Sequence, residues 1–218
     1  MVKTPFQDLF ELENRLKAVF GLQDAIVIPA VGNSSSSLLN AIGTVAAKFL
    51  VDKLRDGDIL GIAPGTSVQA VAESLDTNQK FDIEIVPLLG AIQGEIRLDM
   101  NYLGTDMAEK LGSKSYQLHA PAFLESKEHR DTLASMNPVK NILSIARKAN
   151  IALLGVGTVD PEASRFVQYT ALSPDEMLSI ANDCGAVGEI AAHVYDIDGE
   201  PCCPQYSDRT IGLNLDEI

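Results

Sequence analysis

The chain's architecture turns on the stretch Asp58-Ile-Leu-Gly-Ile-Ala-Pro-Gly-Thr-Ser-Val-Gln-Ala-Val-Ala-Glu-Ser-Leu75. Its first part, Asp58 to Ala63, is a short apolar run of the kind required of a strand buried on both faces. Pro64 and Gly65 interrupt the run, and Val68, Val71, Ala72 and Leu75 then recur at helical spacing behind Thr66 and Ser67. The segment therefore reads as strand, tight turn and helix start. A helix N-terminus leaves backbone N–H groups without intrahelical partners, so this turn, with two hydroxyls beside it, is a natural anion site.

The same alternation continues on either side. Phe6 to Phe20 places Phe6, Leu9, Phe10, Leu12, Leu16, Val19 and Phe20 near helical spacing and predicts a helix that packs one face on the body, stopped by Gly21. Ala25 to Ile28 predicts a strand, and Leu38 to Leu54 a helix. The serine run before that helix is either its N-cap or a flexible spacer. Further strands are expected at Asp82–Leu89, Ser115–His119 and Ile151–Val156, with helices over about Asn101–Leu111, Lys127–Met136 and Pro138–Ala149. Ser173-Pro-Asp-Glu176 combines a capping serine, a proline in the first turn and a glutamate three residues on, which starts another helix. Strands alternating with helices define an α/β fold with a mostly parallel sheet covered by helices on both faces. No internal repeat, heptad pattern or low-complexity segment divides the chain, and 1–218 reads as one domain.

Composition removes several function classes. The 218 residues are 46% hydrophobic, ample for a core, and carry 17 basic against 30 acidic side chains, a net charge of −13. Such a surface repels nucleic acid and anionic membranes at long range, so any DNA-binding part lies outside this sequence. Three cysteines, Cys184 and the adjacent Cys202 and Cys203, are too few and too poorly spaced for a disulfide framework or a zinc site, and a reducing cytoplasm is expected. No run approaches the roughly 18 apolar residues that a membrane span needs.

Three turns follow candidate strands and, in a parallel sheet, open on one edge: Pro64–Ser67, Gly90–Gln93 and Gly155–Thr158. Their glycines allow close backbone approach, and their hydroxyls donate to phosphate or sugar oxygens. There is no lysine of the Walker kind after Gly65-Thr66-Ser67, and Gly155-Val-Gly-Thr lacks the third glycine of a dinucleotide site, so no cofactor is expected. The histidines His119, His129 and His193 fall in no nucleophile or metal-ligand spacing. Glu189, beside Gly188 in an apolar stretch, either caps backbone N–H groups or accepts sugar hydroxyls. Asp208 and Arg209 read as a structural pair in a turn, and Asp196-Ile-Asp-Gly199 as a hairpin turn.

The ordered segments "LENRLKAVFGLQDAIVIP", "DGDILGIAPGTSVQAVAESL", "ANIALLGVGTVDPEA", "GAVGEIAAHVYDIDGE" and "DRTIGLNLDEI" together resemble the sugar-binding, effector-sensing domain of the SorC/DeoR-like bacterial transcription regulators. The similarity runs over essentially the whole chain. It implies the fold of the glucosamine-6-phosphate deaminase and ribose-5-phosphate isomerase group, without turnover of the bound sugar. It further implies that Gly65, Thr66 and Ser67 bind a phosphate, that Gly90, Gln93, Asn101, Gly157 and Thr158 line the same crevice, and that Glu189 takes sugar hydroxyls. Some relatives hold an aldehyde sugar on a lysine just before the glycine loop; Leu88 and Leu89 precede Gly90 here, which excludes that route, and Ala91 replaces a second glycine. Family members begin with a helix-turn-helix domain and continue past the "IGL" segment into a strand, a glycine-rich turn and a helix, parts that the present sequence lacks.

The resemblance therefore implies a sensor in which a phosphorylated sugar or polyol alters operator binding through a domain outside this chain, in a cytoplasmic homo-oligomer, dimer or tetramer. The apolar faces of the first helix and of Leu38–Leu54 either form the oligomer contact or complete the monomer core. The alternative is a sugar-phosphate isomerase or lactonase of the related fold, for which Glu189 and Asp160 are the obvious bases.

Overall fold

The computed structural model describes residues 5–30, 34–92, 99–169 and 172–218. Its centre is a four-stranded parallel sheet in the order β3-β2-β1-β4, with β1 at Ile59–Ile62, β2 at Glu84–Pro87, β3 at Lys114–Ser115 and β4 at Ile151–Leu153. Burial on both faces explains the unbroken apolar runs. Leu60, Ile62 and Ile85 join the core under helices α2 (Ser35–Lys53), α3 (Thr66–Ser74) and α4 (Met100–Leu111), whereas Val86 and Ile59 face α6 (Asn137–Ala146) through Ala146 and Ile145. Helices thus cover both sides of the sheet, as the alternation predicts.

Local chemistry sets the element ends. Ser34 resolves the serine run as a cap, its hydroxyl accepting from Ser37 N at 3.3 Å. Asp99 caps α4 by accepting from the amides of Asn101 and Tyr102, and Gly112 ends it in the left-handed region, at φ 67°. Ser173 and Glu176 form the expected capping box on α8 (Pro174–Asp183). Gly43 lets α2 lie against the Ala70 backbone of α3, since a Cβ there would overlap the Ala70 carbonyl.

Five expectations need correction. Ala25–Ile28 pairs with no strand among the described residues; its one described tie to α1 (Pro5–Phe20) is Val27 N donating to Glu13 Oε1 at 2.8 Å. Nor does α1 bury its apolar face within the chain, for Phe10, Val19 and Phe20 are 63%, 73% and 68% exposed. The Ser115–His119 strand shrinks to Lys114–Ser115, and the run Ile151–Val156 splits. After β4 the chain leaves the sheet and Val156–Gly157 becomes β5 of a second, antiparallel sheet with β6 (Gly188–Ile190) and β7 (His193–Tyr195). Finally, Cys184 and Cys203 form a disulfide with Cα atoms 5.3 Å apart. Their spacing hides this, because the approach arises from α8 ending beside the start of α9 (Pro204–Ser207).

Candidate functional site

The loops after β1 and β4 leave neighbouring parallel strands in different directions, since β1 feeds α3 and β2 on one side while β4 lies on the other. A crevice opens at such a switch point, beyond the carboxyl ends of the strands. It is occupied by a cavity of about 90 Å³ lined by Pro64, Gly65, Thr66 and Ser67 from the first loop and Gly155, Val156 and Gly157 from the second. A larger groove of about 560 Å³ runs beside α2 toward Asp58 and Asn150, at the opposite ends of β1 and β4.

The floor of the cavity is the N-terminus of α3. Gly65 stands before it at φ 141°, a conformation L side chains rarely adopt, and no side chain caps the helix. The first intrahelical bond is Gln69 N to Gly65 O at 2.9 Å, so the amides of Thr66, Ser67 and Val68 have no intrahelical acceptor. By contrast α2, α4, α5 (Lys127–Ser135) and α8 are each capped by a side chain. Thr66 and Ser67, with amides that have no intrahelical partner and with their hydroxyls, line the cavity at the positive end of the helix dipole.

The opposite wall is the β6–β7 hairpin. Its turn residues Ala191 and Ala192 both have positive φ, 48° and 65°, the pattern of a tight two-residue hairpin that glycine or asparagine usually supplies. Glu189 Oε2 accepts from Ala192 N at 3.4 Å across this turn, and the carboxylate lies against Gly157, where a Cβ would collide with it. Burial pushes the Glu189 carboxyl up to about 7, only partly opposed by the Ala192 amide. Capping and cavity lining are therefore not exclusive for Glu189: one carboxylate oxygen holds the turn while the side chain borders the cavity.

Among the described residues lining the cavity, Glu189 is the one carboxylate and Arg165 the one cation. Arg165 begins the short helix α7 (Arg165–Tyr169), its Nη1 donating to Gln168 Oε1 at 2.6 Å, and Phe166 and Ile92 supply apolar wall. Sequence reasoning missed Arg165, which sits in no motif and lies beyond the glycine turn.

Of the residues expected to converge, Gly65, Thr66, Ser67, Gly157 and Glu189 do so. Gly90 does not line the cavity; it is pressed against the Pro121 backbone and donates to Ile211 O at 2.8 Å. Asn101 is a clamp, its Oδ1 accepting from Leu118 N at 2.9 Å and its Nδ2 donating to Leu118 O at 3.4 Å. Thr158 Oγ1 accepts from Asp160 N, and the Asp160 carboxylate from Glu162 N, and neither residue lines the cavity. Gln93 lies outside the described residues. His193 is buried, with Nε2 donating to Leu213 O at 2.7 Å; desolvation lowers its pKa, so it is a neutral structural donor. Asp208 pairs with Lys127 at 3.0 Å and with Arg130 at 3.5 Å, not with Arg209. No group of side chains able to hold a metal ion occurs among the described residues.

A switch-point crevice with an uncapped helix end on one wall and a carboxylate on the other is the kind of place where α/β domains hold small polar ligands. Residues 4–218 match the family described as "Putative sugar-binding domain", and the chain belongs to this sugar-binding domain family of SorC/DeoR-type transcriptional regulators. It is 28% identical over 211 residues to the erythritol catabolism regulatory protein EryD of Brucella abortus, covering 96% of this chain and 66% of EryD. Identity to the sorbitol operon regulator of Klebsiella pneumoniae is likewise 28%, over 95% of this chain and 66% of that protein. The chain thus spans just under two thirds of these relatives. The crystal structure of full-length SorC from Klebsiella pneumoniae superposes with a TM-score of 0.87 at 26% identity, covering 100% of this chain and 70% of SorC. A probable sor operon regulator from Shigella flexneri gives 0.86 at 26% identity, over 95% of this chain and 81% of its own. These relatives are transcriptional regulators rather than enzymes.

Proposed function

We propose that this domain senses a phosphorylated sugar or polyol, bound non-covalently at the switch-point cavity, and so alters DNA binding by a domain outside this sequence. The observation that carries the reading is the uncapped N-terminus of α3, whose free amides and the hydroxyls of Thr66 and Ser67 face a space bordered by Arg165 and Glu189. A phosphate monoester satisfies the amides and the guanidinium, and the hydroxyls of its polyol donate to the Glu189 carboxylate. Two relatives are regulators of erythritol catabolism and of a sorbitol operon, which favours a polyol. The exposed apolar stripe of α1 fits a homo-oligomer in which ligand shifts subunit packing. A differential affinity of about 1–3 kcal/mol between two arrangements suffices for such regulation. A regulator of this kind works in the cytoplasm, and no helix among the described residues is long and apolar enough to cross a membrane.

The test is a thermal-shift screen of phosphorylated sugars and polyols against their unphosphorylated parents, followed by product analysis after incubation. Stabilisation by a phosphorylated compound, recovered unchanged, is expected. Equal response to the unphosphorylated parents would overturn the phosphate assignment, and conversion of the ligand would make the domain an enzyme.

A further inference from the structure

The Cys184–Cys203 bond closes a loop that contains β6 and β7, and therefore Glu189 and Ala191, the wall facing α3. We propose that this pair is a reversible thiol–disulfide site that tightens or loosens the hairpin wall of the cavity; its effect on ligand affinity rests on the function proposed above.

The two sulfurs stand in unequal surroundings. Cys184 is the C-cap of α8 and partly exposed, and its Sγ accepts from Gln205 Nε2 at 3.4 Å. Cys203 is only 4% exposed and precedes α9 in a left-handed conformation, φ 58°, unfavourable for a residue with a Cβ. An external thiol therefore reaches the bond at Cys184. Its thiolate attacks the Cys184 sulfur, the bond to Cys203 breaks, and Cys203 leaves as thiolate and is protonated. A second molecule of thiol then attacks the mixed disulfide, releasing Cys184, so that protein disulfide and two thiols become two protein thiols and one small-molecule disulfide. Glutathione opens the bond in this way, and glutathione disulfide closes it by the reverse exchange, becoming two molecules of glutathione. The neighbouring Cys202 is not the attacking group, because burial, with Asp196 nearby, pushes its thiol pKa up and keeps it protonated.

Two routes carry the change to the cavity. The direct one is the loop itself, whose ends are tied only while the bond is closed. The second runs through α9, where Tyr206, 2% exposed, packs on Phe123 at 5.2 Å between centroids, and Phe123 meets the cavity-lining Phe166 edge-on at 5.6 Å. Opening the bond releases the conformation of Cys203 and with it the anchor of Tyr206.

The experiment equilibrates the whole chain in glutathione–glutathione disulfide mixtures, traps free thiols by alkylation and counts them by mass. Amide hydrogen exchange over residues 186–195 is followed in the same samples, together with affinity for inorganic phosphate. The expected result is a reversible titration of one bond, unchanged by Cys202→Ser, with exchange in the hairpin rising about tenfold on reduction and phosphate affinity falling severalfold. Cys184→Ser should match the reduced protein; should that variant not fold, the reduced natural chain gives the same comparison. A pair that never closes, never opens, or opens with no change in hairpin exchange overturns the proposal. Phosphate binding in neither form would count against the cavity as the phosphate site, and hairpin exchange would still decide the switch.

Discussion

The Glu189 carboxylate fills the space that a side chain at position 157 would need. The two residues are register partners in the β5–β6 pair, so the glycine is what allows the acid to lie flat across the neighbouring strand and into the cavity. Gly157→Ala must push the carboxylate aside or part the strands. We expect it to lower stability by about 1–3 kcal/mol and to weaken ligand binding at least as much as Glu189→Ala. In a double-mutant cycle, thermal denaturation of Gly157→Ala/Glu189→Ala should show much less than the summed loss; full additivity would mean the two do not touch.

Glu189 and His193 give opposite pH dependences. A carboxyl raised to about 7 by burial binds a proton in the folded state that the unfolded chain releases above its ordinary value of 4.5, so it lowers stability as pH rises from 4.5 through 7. His193, lowered by desolvation, stays neutral when folded while the unfolded chain takes up a proton below 6.5, so its contribution is lost as pH falls below that point. Glu189→Gln should therefore gain stability above pH 7, on the order of 2 kcal/mol, and leave a profile that declines only on the acid side. Urea midpoints from pH 5 to 8 measure this, and an unchanged profile would show that Glu189 is ionised and solvated in the folded state.

Asn101 separates a resemblance from a geometry. The family pattern places it among ligand residues, yet both ends of its amide are engaged by the Leu118 backbone. Asn101→Ala leaves a buried amide without its acceptor and is expected to cost about 2 kcal/mol of stability while changing phosphate affinity less than twofold. Isothermal titration beside denaturation distinguishes the cases; a large affinity loss at constant stability would return Asn101 to the binding site.

What the sequence made legible follows the range of the forces involved. The β1 turn is legible because its apolar run, Gly65 and the hydroxyls lie within a few residues, and local chemistry alone places an uncapped helix end beyond a buried strand. The Ser173–Glu176 capping box is legible for the same reason. The hairpin wall is not, since Ala191 and Ala192 hold positive φ without the glycine or asparagine that signals such a turn; the Glu189 bond to Ala192 and burial of both alanines hold it instead. The split of Ile151–Val156 is equally hidden, because nothing in the run marks where one sheet hands the chain to another. Cys184–Cys203 and Arg165 depend on how α7, α8 and α9 pack, which no spacing encodes. The exposed stripe of α1 was readable as a helix but not as an unpartnered one, because periodicity shows that an apolar face exists and not what covers it.

Selectivity for a phosphate over the free polyol should reside in three side chains that line the cavity. Thr66 and Ser67 add hydroxyl donors to amides that remain whatever the side chain, and Arg165 brings the only charge of the right sign among the lining residues described. A hydrogen bond to a charged group contributes about 1.5–3 kcal/mol, so Thr66→Ala/Ser67→Ala should weaken a phosphorylated ligand by at least tenfold and its unphosphorylated parent hardly at all. Arg165→Gln should do the same and flatten the salt dependence of binding, with Arg165→Lys restoring part of both, since a point charge replaces a fork of donors. The cost of losing Arg165 is mainly functional, because its side chain is exposed and bonded only to Gln168 on its own helix turn among the described contacts. Titration calorimetry at two ionic strengths measures each comparison. Parallel losses for the phosphorylated and free compounds would place the phosphate elsewhere and leave α3 without a ligand for its amides.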